Sequence, residues 1–153
     1  LFGALVDKVG KATLWMIVGS AMVLVSHLII TFAPQGEPMY AYIAIALLGI
    51  GYSLVPSAMW PSVPKIIPEK NLGTAYSLIY WVQNLGMWAV PIYVGRIFKK
   101  EITEAGNITQ EITAAIHAEY VFIFLGIVAI ATAMMLYHSS RRHPELRLDE
   151  PAQ

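Results

Sequence analysis

Trp60, Gln83, Asn84, Tyr80 and Ser57 are the side chains of this 153-residue chain whose types and spacing best fit a binding site. An indole and a phenol offer ring surface, while two primary amides and a hydroxyl offer donors and acceptors. The chemistry they support is non-covalent capture of a solute with amide bonds and apolar or aromatic groups. Gly49, Ser53, Ser57 and Trp60 recur at steps of four, four and three, which sets them on one face of a helix. Tyr76, Tyr80, Gln83, Asn84 and Met87 share a face of a second helix, with Pro91 one turn beyond. Two readings compete for these stripes. Small residues let membrane helices approach, and Ser, Asn and Gln hydrogen-bond across the contact for about 1 kcal/mol; this packing reading is favoured for Gly49, Ser53 and Gly86. Trp60, Gln83 and Asn84 are larger, and large polar groups inside an apolar run are costly unless they meet a partner, water or a ligand. Trp81 and Trp88 fall off the Tyr80 and Gln83 face and suit packing or lipid contact, and Trp15 suits an interfacial belt.

Covalent chemistry finds no comparable support. The chain has no cysteine, its four histidines (His27, His117, His138 and His143) lack metal-ligand spacing, and no serine has a histidine and an acid placed as a triad. A Gly-rich phosphate loop followed by Lys-Ser or Lys-Thr is also missing from the sequence. The expectation is therefore no enzyme, no cofactor and no metal. The basic residues are scattered between apolar stretches, which argues against nucleic acid as a partner. His27 has two readings, a proton relay or a neutral histidine bonded to a neighbouring helix. With no carboxylate or base deep in any apolar run, a coupling acid is expected elsewhere in the protein.

The elements that must hold these residues are membrane helices. Hydrophobic residues make up 57% of the chain, charged residues 13%, and the mean hydropathy is +0.59, against roughly 45–50% and about 25% in soluble domains. Charges cluster so as to leave four runs free of Asp, Glu, Lys and Arg, at 12–34, 38–64, 71–95 and 120–138. Each is close to or above the roughly 20 residues a spanning helix needs. If the runs cross in turn, Lys8, Lys11, Lys65, Lys70, Arg141, Arg142 and Arg147 share one side and Arg96, Lys99 and Lys100 the other. The positive-inside rule makes the first side cytoplasmic. Residues 96–119 are expected outside the cytoplasm, with a short amphipathic helix near the end, capped by Asn107 or Thr109, that either stands alone or continues into the last apolar run, and residues 139–153 as a disordered cytoplasmic tail.

Just ahead of the first run lies Gly3-Ala-Leu-Val-Asp7-Lys8-Val-Gly10-Lys11, a polar turn in which Gly10 can take positive φ and Gly3 can allow close helix approach. Its Gly-x-Leu-x-Asp-x-x-Gly-Lys pattern resembles the signature loop of the major facilitator superfamily of secondary transporters. That resemblance implies an all-α membrane fold, of which residues 1–138 would supply helices 9 to 12 of twelve, as a fragment whose N-terminal half is missing. It also implies that helices 10 and 11 face a central cavity, and that Gly3, Asp7, Lys8, Gly10 and Lys11 gate conformational change. Trp60-Pro61, Pro68-Glu69, Leu72-Gly73-Thr74-Ala75-Tyr76 and Gln83-Asn84-Leu85-Gly86 further resemble the lysosomal dipeptide transporter branch. On that likeness the chain belongs to a carrier of a small solute, with dipeptides among the candidates, and Trp60, Gln83 and Asn84 form cavity wall. The implied partners are the solute, membrane lipid and the rest of the same chain. The implied location is a bacterial inner membrane or, in a eukaryote, the lysosomal membrane. A drug or sugar carrier, and a non-transporting scaffold or receptor of the same fold, are the alternatives.

Overall fold

The computed structural model describes residues 2–34, 36–104 and 106–150, and among these every regular element is helical. A short helix α1 (Phe2–Val9) leads into α2 (Ala12–Phe32), α3 (Pro38–Ile66), α4 (Leu72–Glu101) and α5 (Ile108–Arg142). Helices α2, α3 and α5 are long and apolar enough to cross a membrane. Helix α4 is also long, at 30 residues, but its Tyr, Trp, Gln and Asn content makes it less apolar than the other three.

The polar turn resolves into the end of α1 and a sharp break. Gly10 (φ 69°) and Lys11 (φ 57°) are both left-handed, so the chain reverses in two residues before α2 begins. The indole N–H of Trp15 donates to the Gly10 carbonyl at 3.0 Å, which ties this tryptophan to the break. A Cβ on Gly3 would meet nothing within 4 Å among the described residues, so the close approach expected there is not made among them. The Asp7 backbone lies in α1, and its side chain falls outside the described residues.

Helix α2 packs on α3 and α5 and forms the centre of the bundle. Its crossing with α3 is set by two glycines. A Cβ on Gly51 would lie 2.7 Å from the Gly19 carbonyl oxygen, and one on Gly19 would lie 2.9 Å from that of Gly51. Ser26 adds a hydrogen bond from its hydroxyl to the Ala44 carbonyl at 2.8 Å. The expected packing glycines, Gly49 and Gly86, have no neighbour within 4 Å. The helix-packing role belongs instead to Gly19 and Gly51, because Gly49 is turned about 160° from Gly51, on the side away from α2.

The connection across 96–119 is shorter than expected. Helix α4 runs on to Glu101 and α5 starts at Ile108, so only six residues separate the two helices. Asn107 caps α5 by accepting from the Gln110 N–H, and the Gln110 side chain accepts from the backbone N–H groups of Thr103 and Glu104. The short amphipathic helix is thus the first part of α5 itself.

Residues 139–150 also differ from the expected disorder. Ser139 to Arg142 complete α5, Pro144–Leu146 form a 3-10 turn, and Leu148 is 1% exposed. The Asp149 carboxylate accepts from the Thr13 N–H (2.9 Å), the Thr13 hydroxyl (2.8 Å) and the Ser140 hydroxyl (3.2 Å). Its carbonyl accepts from the Lys11 N–H at 2.8 Å. Lys11 offers α2 no side-chain cap, and a residue far away in sequence supplies the missing acceptor at the second helical position, where an N-cap carboxylate normally acts. Lys65 at the end of α3 donates to the carbonyls of Arg147, Leu148 and Glu150. Proline and charge made this segment look unfoldable, yet its polar atoms are spent on helix ends, which composition does not reveal. Lys11, Lys65, Arg141, Arg142 and Arg147 therefore gather at one end of the bundle, and the α4–α5 turn with Arg96, Lys99 and Lys100 lies at the other.

Candidate functional site

Trp60 is the pivot of a cleft of about 440 Å³ between α3 and α4, floored by α2 and α5. Helix α3 contributes Tyr52, Val55, Pro56, Met59 and Trp60, and α4 contributes Ile79, Val82 and Gln83. Ser20, Val23 and Ala129 close the floor. The Trp60 ring is tilted against Tyr80 at 5.0 Å between centroids and against Tyr76 at 5.7 Å. These are ordinary offset aromatic contacts, and they join α3 to α4. The lining is mostly carbon, with the Gln83 amide, the Tyr52 phenol, the Ser20 hydroxyl and the Trp60 indole N–H as its polar side-chain groups.

Of the five expected binding residues, three come together here: Trp60 and Gln83 line the cleft, and Tyr80 stacks on Trp60. The other two use their donors locally. The Asn84 amide donates to the Tyr80 carbonyl at 2.8 Å, and the Ser57 hydroxyl donates to the Ser53 carbonyl at 2.7 Å, both within their own helices. What remains free is the acceptor capacity of the Asn84 carbonyl oxygen and the Ser57 lone pairs, together with the second N–H of the Asn84 amide. Ser53 behaves like Ser57, bonding back to the Gly49 carbonyl. Tyr76 and Tyr52 were not singled out for binding, although Tyr76 lies one turn before Tyr80 on the same face and was the legible one of the two.

Helix α4 has no buried residue among those described. Trp81, Met87 and Trp88 are more than 60% exposed. It packs chiefly in the hairpin with α5, with smaller contacts to the turn at 69–71 and around Trp60. A helix bearing so much uncovered apolar surface is built to be covered by more protein or by lipid.

A second polar feature lies inside the spans, and its carboxylate was not expected there. The His27 ring nitrogen Nδ1 lies 2.7 Å from the Glu119 carboxylate, and the two side chains are 12% and 19% exposed. Phe122 stacks flat on the imidazole, 5.1 Å between ring centroids with 9° between planes. Glu119 sits just outside the apolar run that begins at 120, but it is level with His27, which lies roughly 7 Å inside the end of α2. A carboxylate is therefore present at the depth of a span, and His27 is bonded to a neighbouring helix.

The family model of the Major Facilitator Superfamily matches residues 1–91, more than half of the chain and including both the α1–α2 break and the Trp60 region. The chain belongs to the major facilitator superfamily. Its curated relatives carry one name. The lysosomal dipeptide transporter MFSD1 of Mus musculus is 44% identical over 97 residues, covering 63% of this chain and 20% of the relative. The Homo sapiens protein of that name is 42% identical over the same length. The Danio rerio protein is 32% identical over 137 residues, 90% of this chain and 26% of the relative. The chain thus spans about a fifth to a quarter of the relatives it matches. No solved structure matches it significantly. Membership of the superfamily accounts for the uncovered face of α4, since the superfamily fold has a further six-helix half across its cavity.

Proposed function

We propose that the protein of which this chain forms part is a secondary transporter, moving a dipeptide-like solute across a membrane by alternating access. The observation that carries this reading is the Trp60–Tyr80 contact beside Gln83 in an otherwise apolar cleft. Ring surface suits the side chains of a short peptide and the glutamine amide suits its backbone. The names of the relatives point the same way. A dipeptide also carries an ammonium and a carboxylate, and the cleft lining holds no charged side chain. The groups that pair with those termini are assigned to the remainder of the protein.

Gly3, Asp7, Lys8, Gly10 and Lys11 take the gating role in this reading. The left-handed break at Gly10 and Lys11 holds α1 at an angle to α2, a shape suited to bracing against another helix end in one access state. The lysosomal membrane is the location proposed, by likeness to the named relatives. Uptake of a labelled dipeptide by the full-length protein in proteoliposomes tests the function. Saturable uptake, displaced by other dipeptides and not by a hexose or a hydrophobic drug, is the expected result. Transport of the hexose or the drug instead would transfer the protein to another solute class, and no transport of any of them would overturn the proposal.

A further inference from the structure

The α4–α5 hairpin encloses a second groove, of about 570 Å³, at the opposite end of the bundle from the Asp149 contacts. Its mouth carries Arg96 and Lys100, one helical turn apart on the same face of α4. Neither cation has a hydrogen-bond or ion-pair partner among the described residues. The carboxylate in the lining, Glu101, is engaged by the His117 ring at 3.1 Å. Deeper along the two helices the walls become Tyr93, Val121 and Phe124, the last two turns below His117.

We infer that this groove binds an anionic phospholipid, with the headgroup phosphate between Arg96 and Lys100 and an acyl chain along Tyr93, Val121 and Phe124. The charge profile is that of an amphiphile: two uncompensated cations at the point where the charge-free part of α4 ends at Gly95, and apolar walls on the membrane side. A soluble anion would gain nothing from those walls, whereas an acyl chain covers them. Basic pockets between membrane helices on the cytoplasmic or matrix side bind acidic headgroups by this combination; the same arrangement stands here at the bundle end expected outside the cytoplasm, and the volume lies within the usual range for small-molecule sites. Lys99 carries the same charge one residue away but does not line the groove, so it separates a site from a general attraction.

The full-length protein, reconstituted in nanodiscs of phosphatidylcholine with a minority of phosphatidylglycerol, is released and examined by native mass spectrometry. The wild type is expected to retain one phosphatidylglycerol. The Arg96→Gln/Lys100→Gln pair should reduce the retained fraction by on the order of tenfold or more, since each basic group near a membrane surface contributes roughly fivefold. Lys99→Gln and the charge-keeping pair Arg96→Lys/Lys100→Arg should retain it. Equal loss in Lys99→Gln, or full retention in the double glutamine variant, overturns the site. Displacement of the lipid by millimolar inorganic phosphate would show a soluble-anion site and overturn the lipid assignment.

Discussion

Replacing Asp149 by alanine should release the C-terminal strap from the bundle. The carboxylate serves three donors: the Thr13 N–H, the Thr13 hydroxyl and the Ser140 hydroxyl. Thr13 is 1% exposed, so water cannot take over its two donors without local opening. Leaving buried donors unsatisfied costs about 1–3 kcal/mol, and losing a negative charge at a helix N-terminus about 0.3–1 kcal/mol. Asp149 itself is half-buried, and water regains part of the loss at the Ser140 side, so a net figure of about 2 kcal/mol is expected. The reporter is Leu148, buried against the bundle and replaceable by cysteine. This chain has no cysteine of its own, so only thiols elsewhere in the full-length protein need removal. If labelling of Leu148→Cys proceeds through strap opening, a loss of about 2 kcal/mol accelerates it roughly 30-fold. Asp149→Asn, which keeps one acceptor oxygen, should accelerate it only about fivefold, from a loss near 1 kcal/mol. Equal labelling rates in the aspartate and alanine backgrounds would refute the strap as an energetic element.

Three further perturbations address other joints. Asp7→Asn should slow transport by the full-length protein while leaving equilibrium solute affinity nearly unchanged, and a large affinity loss at unchanged turnover would remove Asp7 from the gate. Gly51→Ala should lower the thermal stability of the detergent-solubilised protein by the equivalent of about 1–3 kcal/mol, because the new Cβ would sit 2.7 Å from a backbone oxygen that moves only if α2 and α3 separate; an unchanged midpoint would contradict the crossing. His27→Gln and Glu119→Gln, combined in a double-mutant cycle on stability, should show a coupling of about 1 kcal/mol, and additivity would deny the interhelical bond.

Much of the fold was legible because its signals are local. Charge-free runs mark where the helices lie, and Asn107 announces its own helix start. The Gly10 break was readable as a positive-φ position, although Lys11 sharing that conformation was not. The contacts that needed two distant segments were not readable. His27 and Glu119 meet across antiparallel helices, and Asp149 caps a helix 136 residues upstream. Gly51 and Gly49 are both small residues in one run, and only the direction of α2 decides which one it touches. At the cleft, a period of three and four residues brought Trp60, Tyr80 and Gln83 to one place, but it says nothing of where a side chain donates. Asn84 and Ser57 share the pattern and turn their donors to their own backbones.

Equilibrium binding of a dipeptide to purified full-length protein tests the central claim that the Trp60 cleft holds the solute. Trp60→Ala and Gln83→Ala should weaken binding by on the order of 1–3 kcal/mol, roughly 5- to 150-fold, in protein of near-normal expression and thermal stability. Asn84→Ala should have a smaller effect, because Asn84 does not line the cleft and one of its two amide N–H groups is already engaged, and Trp81→Ala, which is off the cleft, should have none. Unchanged affinity in the Trp60 and Gln83 variants, with only abundance or stability reduced, would mean that these residues hold helices together and that the solute binds elsewhere.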